Sequence, residues 1–497
     1  MSVPEIRIRQ LNQCPIQIEG DYVLYWMIAN RRSRSNFSLE RAIELSKEFN
    51  KPLLILEALR CGYEWASDRL HRFVLQGMRD NQERFQESSA TYYCYVEPAP
   101  GHGAGLLEAL AAKASVIVTD DFPCFFIPRM LQSVASRLPV RLEAIDSNGV
   151  LPMRAASQIY PTAYAFRRFL HKELPPHLLQ IPKVNPLARV KLPYLNGLPP
   201  DIRERWPMAS PRTLQATPEV LAELPIDHSV QPAEFAGGMN AARRALKQFL
   251  NQRFDRYVEE RNLPEQEVTS GLSPYLHFGH ISAHEVFHHI TNREVWAVEK
   301  VFDQKATGKR ADWWGMSETA EAYLDQLITW RELGYNMCWQ RTDYDQYESL
   351  PDWAKTTLAD HARDLRDYCY SLEDFEQAQT HDPLWNAAQR QLVTEGRMHN
   401  YMRMLWGKKI LHWSESPQAA LQTMIHLNNK YAVDGRNPNS YSGIFWCLGR
   451  YDRPWGPERP IFGKIRYMTS ENTARKFRVK SYLERYGTEK QQRALFD

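Results

Sequence analysis

The spacing of apolar residues changes period along this chain, and that change constrains the fold more than any other feature. Before about residue 173, short apolar runs alternate with amphipathic stretches. YVLYWMI (22–28), PLLILEAL (52–59) and the runs 91–96 and 116–119 read as buried strands, while 39–49 and 68–85 carry helical spacing. Strands alternating with helices predict a parallel sheet covered on both faces, an α/β, Rossmann-like domain over residues 1–173. Ligands of such sheets sit beyond the C-terminal strand ends. No GxGxxG is present, so a nicotinamide-dinucleotide fingerprint is absent.

Residues 174–237 break the alternation. Nine prolines fall between 175 and 211, which predicts a long connector wrapped over the surface. From 238 to 497 the period is helical throughout. The stretches 241–261, 320–339, 382–395, 400–413 and 416–430 suit helices, and no strand alternation appears. The expected architecture is an α/β domain, a connector and an all-α domain.

Charge and cysteine usage exclude more than they suggest. The 62 basic and 59 acidic residues leave a formal charge of +3, so only local clusters inform on partners. Seven cysteines are scattered without a CxxC pair or a zinc-like spacing, so no metal site is expected and reduced thiols of a cytoplasmic protein are. The N-terminus lacks the apolar run of a signal peptide, and no stretch suits a membrane span.

Three segments carry chemistry. TSGLSPYLHFG (269–279) places hydroxyls and backbone amides ahead of a helical stretch, which suits a phosphate; an N-cap with Pro274 in the first turn explains it equally. GRMHNYMRMLW (396–406) opens a helix. DGRNPN (434–439) reads as a turn. Eleven of fourteen tryptophans lie after residue 290, where filling a core is the ordinary role. Between 450 and 485, ten Arg/Lys face four Asp/Glu and are interleaved with aromatics, a pattern for phosphate contact with stacking or for a solvated charged face.

Together these segments resemble the photolyase/cryptochrome superfamily. With THDPLWNAAQ (380–389), KKILHWSESP (408–417) and ERPIFGKIRYM (458–468), the chain is most similar to class II cyclobutane-pyrimidine-dimer photolyases. The resemblance spans most of the chain and is strongest over its last 170 residues. It implies FAD held in the helical domain, with Thr269, Ser270, Gly271, Leu272 and Ser273 at the diphosphate. A buried pair of Arg403 and Asp434 would lie beside the flavin. Trp330, Met404 and Trp446 would line the lesion pocket, and Asn428 would face flavin N5. Trp406, Trp385 and Trp413 would relay electrons, with Trp413 on the solvent side. Asn400, an Asp452–Arg453 pair and Trp455 would meet DNA. The implied partner is UV-damaged DNA containing pyrimidine dimers, met by a monomer, with a deazaflavin or folate antenna as an optional second chromophore. Photolyases extract their lesion from the duplex.

Two positions depart from the class II pattern. Gln326 stands where those enzymes usually carry glutamate, and Asn400 where glycine is common. An acid at 326 could share a proton with a pyrimidine radical anion; an amide donates a hydrogen bond but keeps its proton. Asp325 should point about 100° away on a helix and so should not substitute. The implied function is light-driven dimer repair with altered efficiency. A cryptochrome-like light sensor without efficient repair is the alternative.

Overall fold

The structure is a computed structural model that describes residues 2–487. Six strands form its one sheet among the described residues: β1 (Ile8–Gln10), β2 (Tyr22–Met27), β3 (Leu53–Leu59), β4 (Thr91–Val96), β5 (Ala114–Asp120) and β6 (Leu142–Ile145), in the order β1-β6-β5-β2-β3-β4. All neighbours pair in parallel except β1 with β6. β1 and β6 lie outside the strands expected from sequence; at three and four residues they are too short for a periodic signal. β2 and β5 are buried at every position, as a sheet covered on both faces requires. Helices α1 (Phe37–Glu48) and α2 (Asp68–Gln86) follow β2 and β3. Asn36 starts α1 by accepting from the Ser38 and Leu39 amides.

The proline-rich stretch is not featureless. Each of its short helical turns, Pro175–Leu179, Pro200–Arg205, Pro211–Gln215 and Pro218–Ala222, begins on a proline. The ring presets φ for a helix start, and its missing N–H is not needed there. Trp206, Leu214 and Leu221 anchor the stretch against the α/β region.

From Met239 onward, helices surround one large core. Four matter for the site: α3 (Pro383–Glu395), α4 (Asn400–Trp413), α5 (Pro417–Tyr431) and α6 (Pro438–Cys447). Three begin with a polar cap followed by proline: Asp382-Pro383, Ser416-Pro417 and Asn437-Pro438. Two expected helices are interrupted. The 241–261 stretch gives Met239–Gln248, then a π-helical turn, a 3-10 turn and Tyr257–Glu260. The 320–339 stretch has a π-helical segment at Asp325–Trp330 between Glu318–Leu324 and Arg331–Gln340. Apolar spacing alone does not reveal a one-residue insertion of this kind.

Candidate functional site

Three helices each turn one narrow stripe toward a common cleft. In α6 only Asn439, Gly443 and Trp446 escape burial, at spacings of four and three. A Cβ on Gly443 would meet nothing within 4 Å, so this face looks onto open space. Within 325–335 only Gln326 and Trp330 are not buried, again four apart. On α4 the residues that escape burial are Asn400, Tyr401, Arg403, Met404 and His412, with Asn400, Arg403 and Met404 at spacings of three and four. A cavity of about 240 Å³ is lined by Gln326, Asn400, Asn437 and Asn439 together with Thr269, Ser270 and Ser273. The sequence thus predicted residues from three separate segments that the fold brings to one cleft.

Polar contacts organise the cleft floor. Ser273 donates to Asp434 Oδ2 at 2.5 Å. Arg403 Nη1 donates to Asn428 Oδ1 at 3.2 Å, and Asn428 Nδ2 donates to Ser440 at 2.7 Å. Arg403 and Asp434 approach to 3.6 Å, but their side chains remain 22% and 14% exposed. This corrects the expected buried pair: the two are only partly buried, and Asp434 Oδ1 keeps no hydrogen bond although water cannot reach it. The Leu272 side chain also departs from expectation. It lies in the core, 1% exposed, and only its backbone faces the loop, donating to Ser270 Oγ at 3.3 Å. Gly271, at φ +67°, has no atom within 4 Å of an added Cβ, which leaves its loop open to a ligand. Asn437 caps α6 and sits 3.1 Å from His277 Nδ1, so the DGRNPN turn and the TSGLSPYLHFG segment are joined.

Asp325 is turned away from the cleft and salt-bridged to Arg167 at 2.8 Å. Gln326 therefore has no adjacent acid to act in its place.

The tryptophans of α3 and α4 form a connected set. Trp385 donates its indole N–H to the Trp406 carbonyl at 3.0 Å, and its ring centroid lies 6.1 Å from that of Trp413. Trp406 donates to Gln389 at 2.8 Å. Trp413 is not on the solvent side as expected: it is 2% exposed. Tyr370 and His381 cover it at 5.7 and 4.9 Å, and Lys409 lies 4.9 Å over its ring. Tyr370 and His381 arrive from the turns on either side of the short helix Leu372–Glu376, which the spacing of α4 cannot place.

The basic segment carries a second cluster. Asp452 takes Arg466 as its ion partner at 2.9 Å, not the Arg453 side chain. Arg453 gives Asp452 only its backbone N–H at 2.9 Å and lies over Trp455 at 4.6 Å. Trp455 donates to Asp452 at 3.1 Å. Arg466, not singled out from sequence, lies 4.0 Å over Trp455 and 5.5 Å from the Trp446 ring, and so ties this cluster to the cleft.

A larger cavity of about 380 Å³ opens at the C-terminal ends of β2, β3 and β4, where the strand order predicts a ligand. Trp26, Tyr63, Phe122 and Phe126 wall it, with Arg31 and Glu97 among its charged residues. His277, Phe278 and Arg436 close its far side. The two cavities are thus backed by the same two segments. Among the described residues, no group of three or more His, Cys, Asp or Glu side chains could hold a metal. No described helix is long and apolar enough to cross a membrane.

A six-stranded, mainly parallel sheet followed by a helical region with a polar cleft and a line of tryptophans defines the architecture of photolyases and cryptochromes. Solved structures of a class III photolyase from Agrobacterium tumefaciens and of a Synechocystis cryptochrome share it. They align with TM-scores of 0.65 and 0.63 at 15% and 14% identity, each over 94% of this chain and over 86% and 88% of theirs. No protein-family model matches the chain. Curated relatives decide the family. A deoxyribodipyrimidine photo-lyase of Methanothermobacter thermautotrophicus is 34% identical over 96% of this chain and 97% of its own length. Those of Arabidopsis thaliana and Potorous tridactylus are 34% and 32% identical, over 97% and 96% of this chain and 93% and 83% of theirs. The chain belongs to the deoxyribodipyrimidine photo-lyase family of the photolyase/cryptochrome superfamily.

Proposed function

We propose that this protein binds FAD in the helical cleft and uses light to split cyclobutane pyrimidine dimers in DNA, in the manner of class II photolyases. The observation that carries this reading is the convergence of Gln326, Asn400, Asn437 and Asn439 with Thr269, Ser270 and Ser273 on one cavity, with Arg403 held to Asn428 and Asp434 nearby on the same elements. The donor set fits the cofactor. Thr269, Ser270 and Ser273 offer hydroxyls to a diphosphate, and Asp434 Oδ1, ion-paired with Arg403 at 3.6 Å, is a buried acceptor with no hydrogen bond. Bound there, reduced FAD supplies an electron on illumination and takes it back after the ring opens.

The protein's own groups do the rest. Trp330 and Trp446 offer flat apolar surface to a flipped dimer, whose extraction costs less than that of stacked, paired bases. Gln326 holds a pyrimidine carbonyl through its amide N–H. Asn428, fixed by Arg403 and Ser440, presents a polar edge toward the flavin ring. Trp406, Trp385 and Trp413 resupply electrons to the cofactor. Asn400, Arg453, Trp455 and the Asp452–Arg466 pair meet the DNA around the lesion. Residues 1–173, 174–237 and 238–497 act as antenna domain, connector and catalytic domain, though 488–497 lie outside the described residues. The aromatic cavity at the strand ends suits a planar antenna, a deazaflavin or a folate. The protein works as a monomer in the cytoplasm, with DNA.

The test has two parts. The purified protein should show a flavin spectrum. It should also split a thymine dimer in an oligonucleotide in blue light and leave it intact in the dark. A flavoprotein that binds damaged and undamaged DNA equally at fixed salt, and splits nothing, supports the light-sensor reading instead.

A further inference from the structure

Lys408 is a buried cation behind the Trp446 ring. It lies on α4 one turn beyond Met404, on the stripe that runs from Asn400 into the interior, and is 0% exposed. Its Nζ donates to the Cys447 carbonyl at 2.8 Å and stands 4.8 Å from the centroid of the Trp446 ring. No ion pair between Lys408 and a carboxylate exists among the described residues, whereas the adjacent Lys409 has Asp382 at 3.7 Å.

Burying an ammonium without a counter-ion is strongly unfavourable. The carbonyl at the end of α6 recovers part of that cost through the helix dipole. An uncharged side chain would fill the same space without any of it. What only the ammonium supplies is an unneutralised positive field in a low-dielectric setting, directly beneath the wall of the cleft.

We propose that Lys408 is a positioning residue of the lesion pocket: its ammonium holds the Trp446 ring and stabilises negative charge arriving on a pyrimidine dimer that lies against that ring. The inference rests on the dimer-repair reading. One electron enters the dimer, the two cyclobutane C–C bonds between the pyrimidines break in turn, and the electron leaves, with no atom gained or lost. While the electron resides there, the lesion carries a full negative charge. A fixed cation nearby makes its arrival more favourable, so transfer competes better with decay of the excited donor. Gln326 shares no proton with the radical anion, so a fixed charge is the second means of stabilising it.

Burial holds the Lys408 ammonium below the usual lysine range, at about 8. The charged and titratable groups that face it are Cys447 on α6, Asp452 and Arg466 from the C-terminal segment, and Arg403 on α4, which acts on Cys447. Cys447 is itself pushed up to about 11 by burial, so Lys408 is the group of this set that titrates between pH 7 and 9.5.

The experiment is single-turnover splitting of an oligonucleotide with one thymine dimer, at saturating protein, scored per absorbed photon. Lys408→Met should lower the yield about three- to ten-fold. FAD content and dimer affinity should stay within about two-fold of wild type. The wild-type yield should fall between pH 7 and pH 9.5, Lys408→Met should be low and flat across that range, and Lys408→Arg should hold its pH 7 yield at pH 9.5. A Lys408→Met protein that splits dimers at the wild-type yield overturns the proposal, whatever its melting temperature. If that variant does not fold, the wild-type profile decides alone, and a flat profile overturns it. Failure of the wild type to split dimers at any pH sinks the repair reading itself and is recognised separately.

Discussion

Gln326 is the residue on which the chemistry of this cleft turns. It lies within the π-helical segment and faces the cavity, while its neighbour Asp325 is spent on Arg167. Its amide can hold a carbonyl through one hydrogen bond, worth about 0.5–1.5 kcal/mol net. It cannot lend a proton. Gln326→Glu should therefore raise repaired dimers per absorbed photon while leaving dimer affinity within about two-fold. An unchanged or lower yield would show that the amide is suited to another task. Trp406 gives a second test at the same scale. Trp406→Phe keeps a ring in the core but removes the oxidisable indole and its bond to Gln389. Light-driven reduction of oxidised FAD should stop while the flavin remains bound. Equal photoreduction rates would mean that electrons take another route. Both residues were legible only through the motifs around them. A lone buried tryptophan or a half-buried glutamine carries no signal of its own in a sequence. The burial of Trp413 was not legible at all, because Tyr370 and His381 reach it from turns outside α4.

Elements were read more reliably than their interiors. β4 and α4 fall at their expected bounds. The π-helical segments were missed because one inserted residue shifts the stripe without erasing it. The DGRNPN motif shows the opposite case. Its turn reading and its site reading are both physical. Asn437 caps α6, Pro438 begins it, and Asp434 is left as the ion partner of Arg403, with no hydrogen bond on its Oδ1. Asp434→Ala should release FAD during purification and raise the added FAD needed for half-saturation by about ten-fold or more, since it removes a charged acceptor worth roughly 1.5–3 kcal/mol. Ser273→Ala, which removes only the hydroxyl on Asp434 Oδ2, should have a smaller effect. Flavin retention by Asp434→Ala, read from its absorbance after gel filtration, would move the cofactor away from this loop.

At the scale of the whole molecule, buried histidines, one of which bridges the α/β and helical regions, set how the protein meets acid. His280 accepts from the Gly238 N–H at 2.9 Å and stacks on Phe73 of α2 at 5.0 Å. His71, also on α2, stacks on Tyr63 at 5.8 Å, and neither ring nitrogen has a hydrogen-bond partner. Burial lowers His280 to about 3 and His71 to about 4; His171, His399 and His412 are lowered to about 4 by the same cause. Each is neutral when folded, whereas the unfolded chain takes up its proton near the ordinary value. The stability they contribute is complete above pH 6.5 and is lost as pH falls through 6.5 toward 4. Glu332 and Glu40 act in the opposite sense, raised to about 7 by burial, but two carboxyls do not offset five imidazoles. The melting temperature should therefore drop steadily from pH 6.5 to pH 4.5. His71→Phe separates this cause from general acid sensitivity, since it keeps a ring against Tyr63 and leaves no nitrogen unpaired. Between pH 7 and pH 5 it should lose about 1–2 kcal/mol less than wild type in denaturant titrations. Parallel losses in the two proteins would mean that His71 is already charged in the folded protein, and that acid acts on this molecule elsewhere.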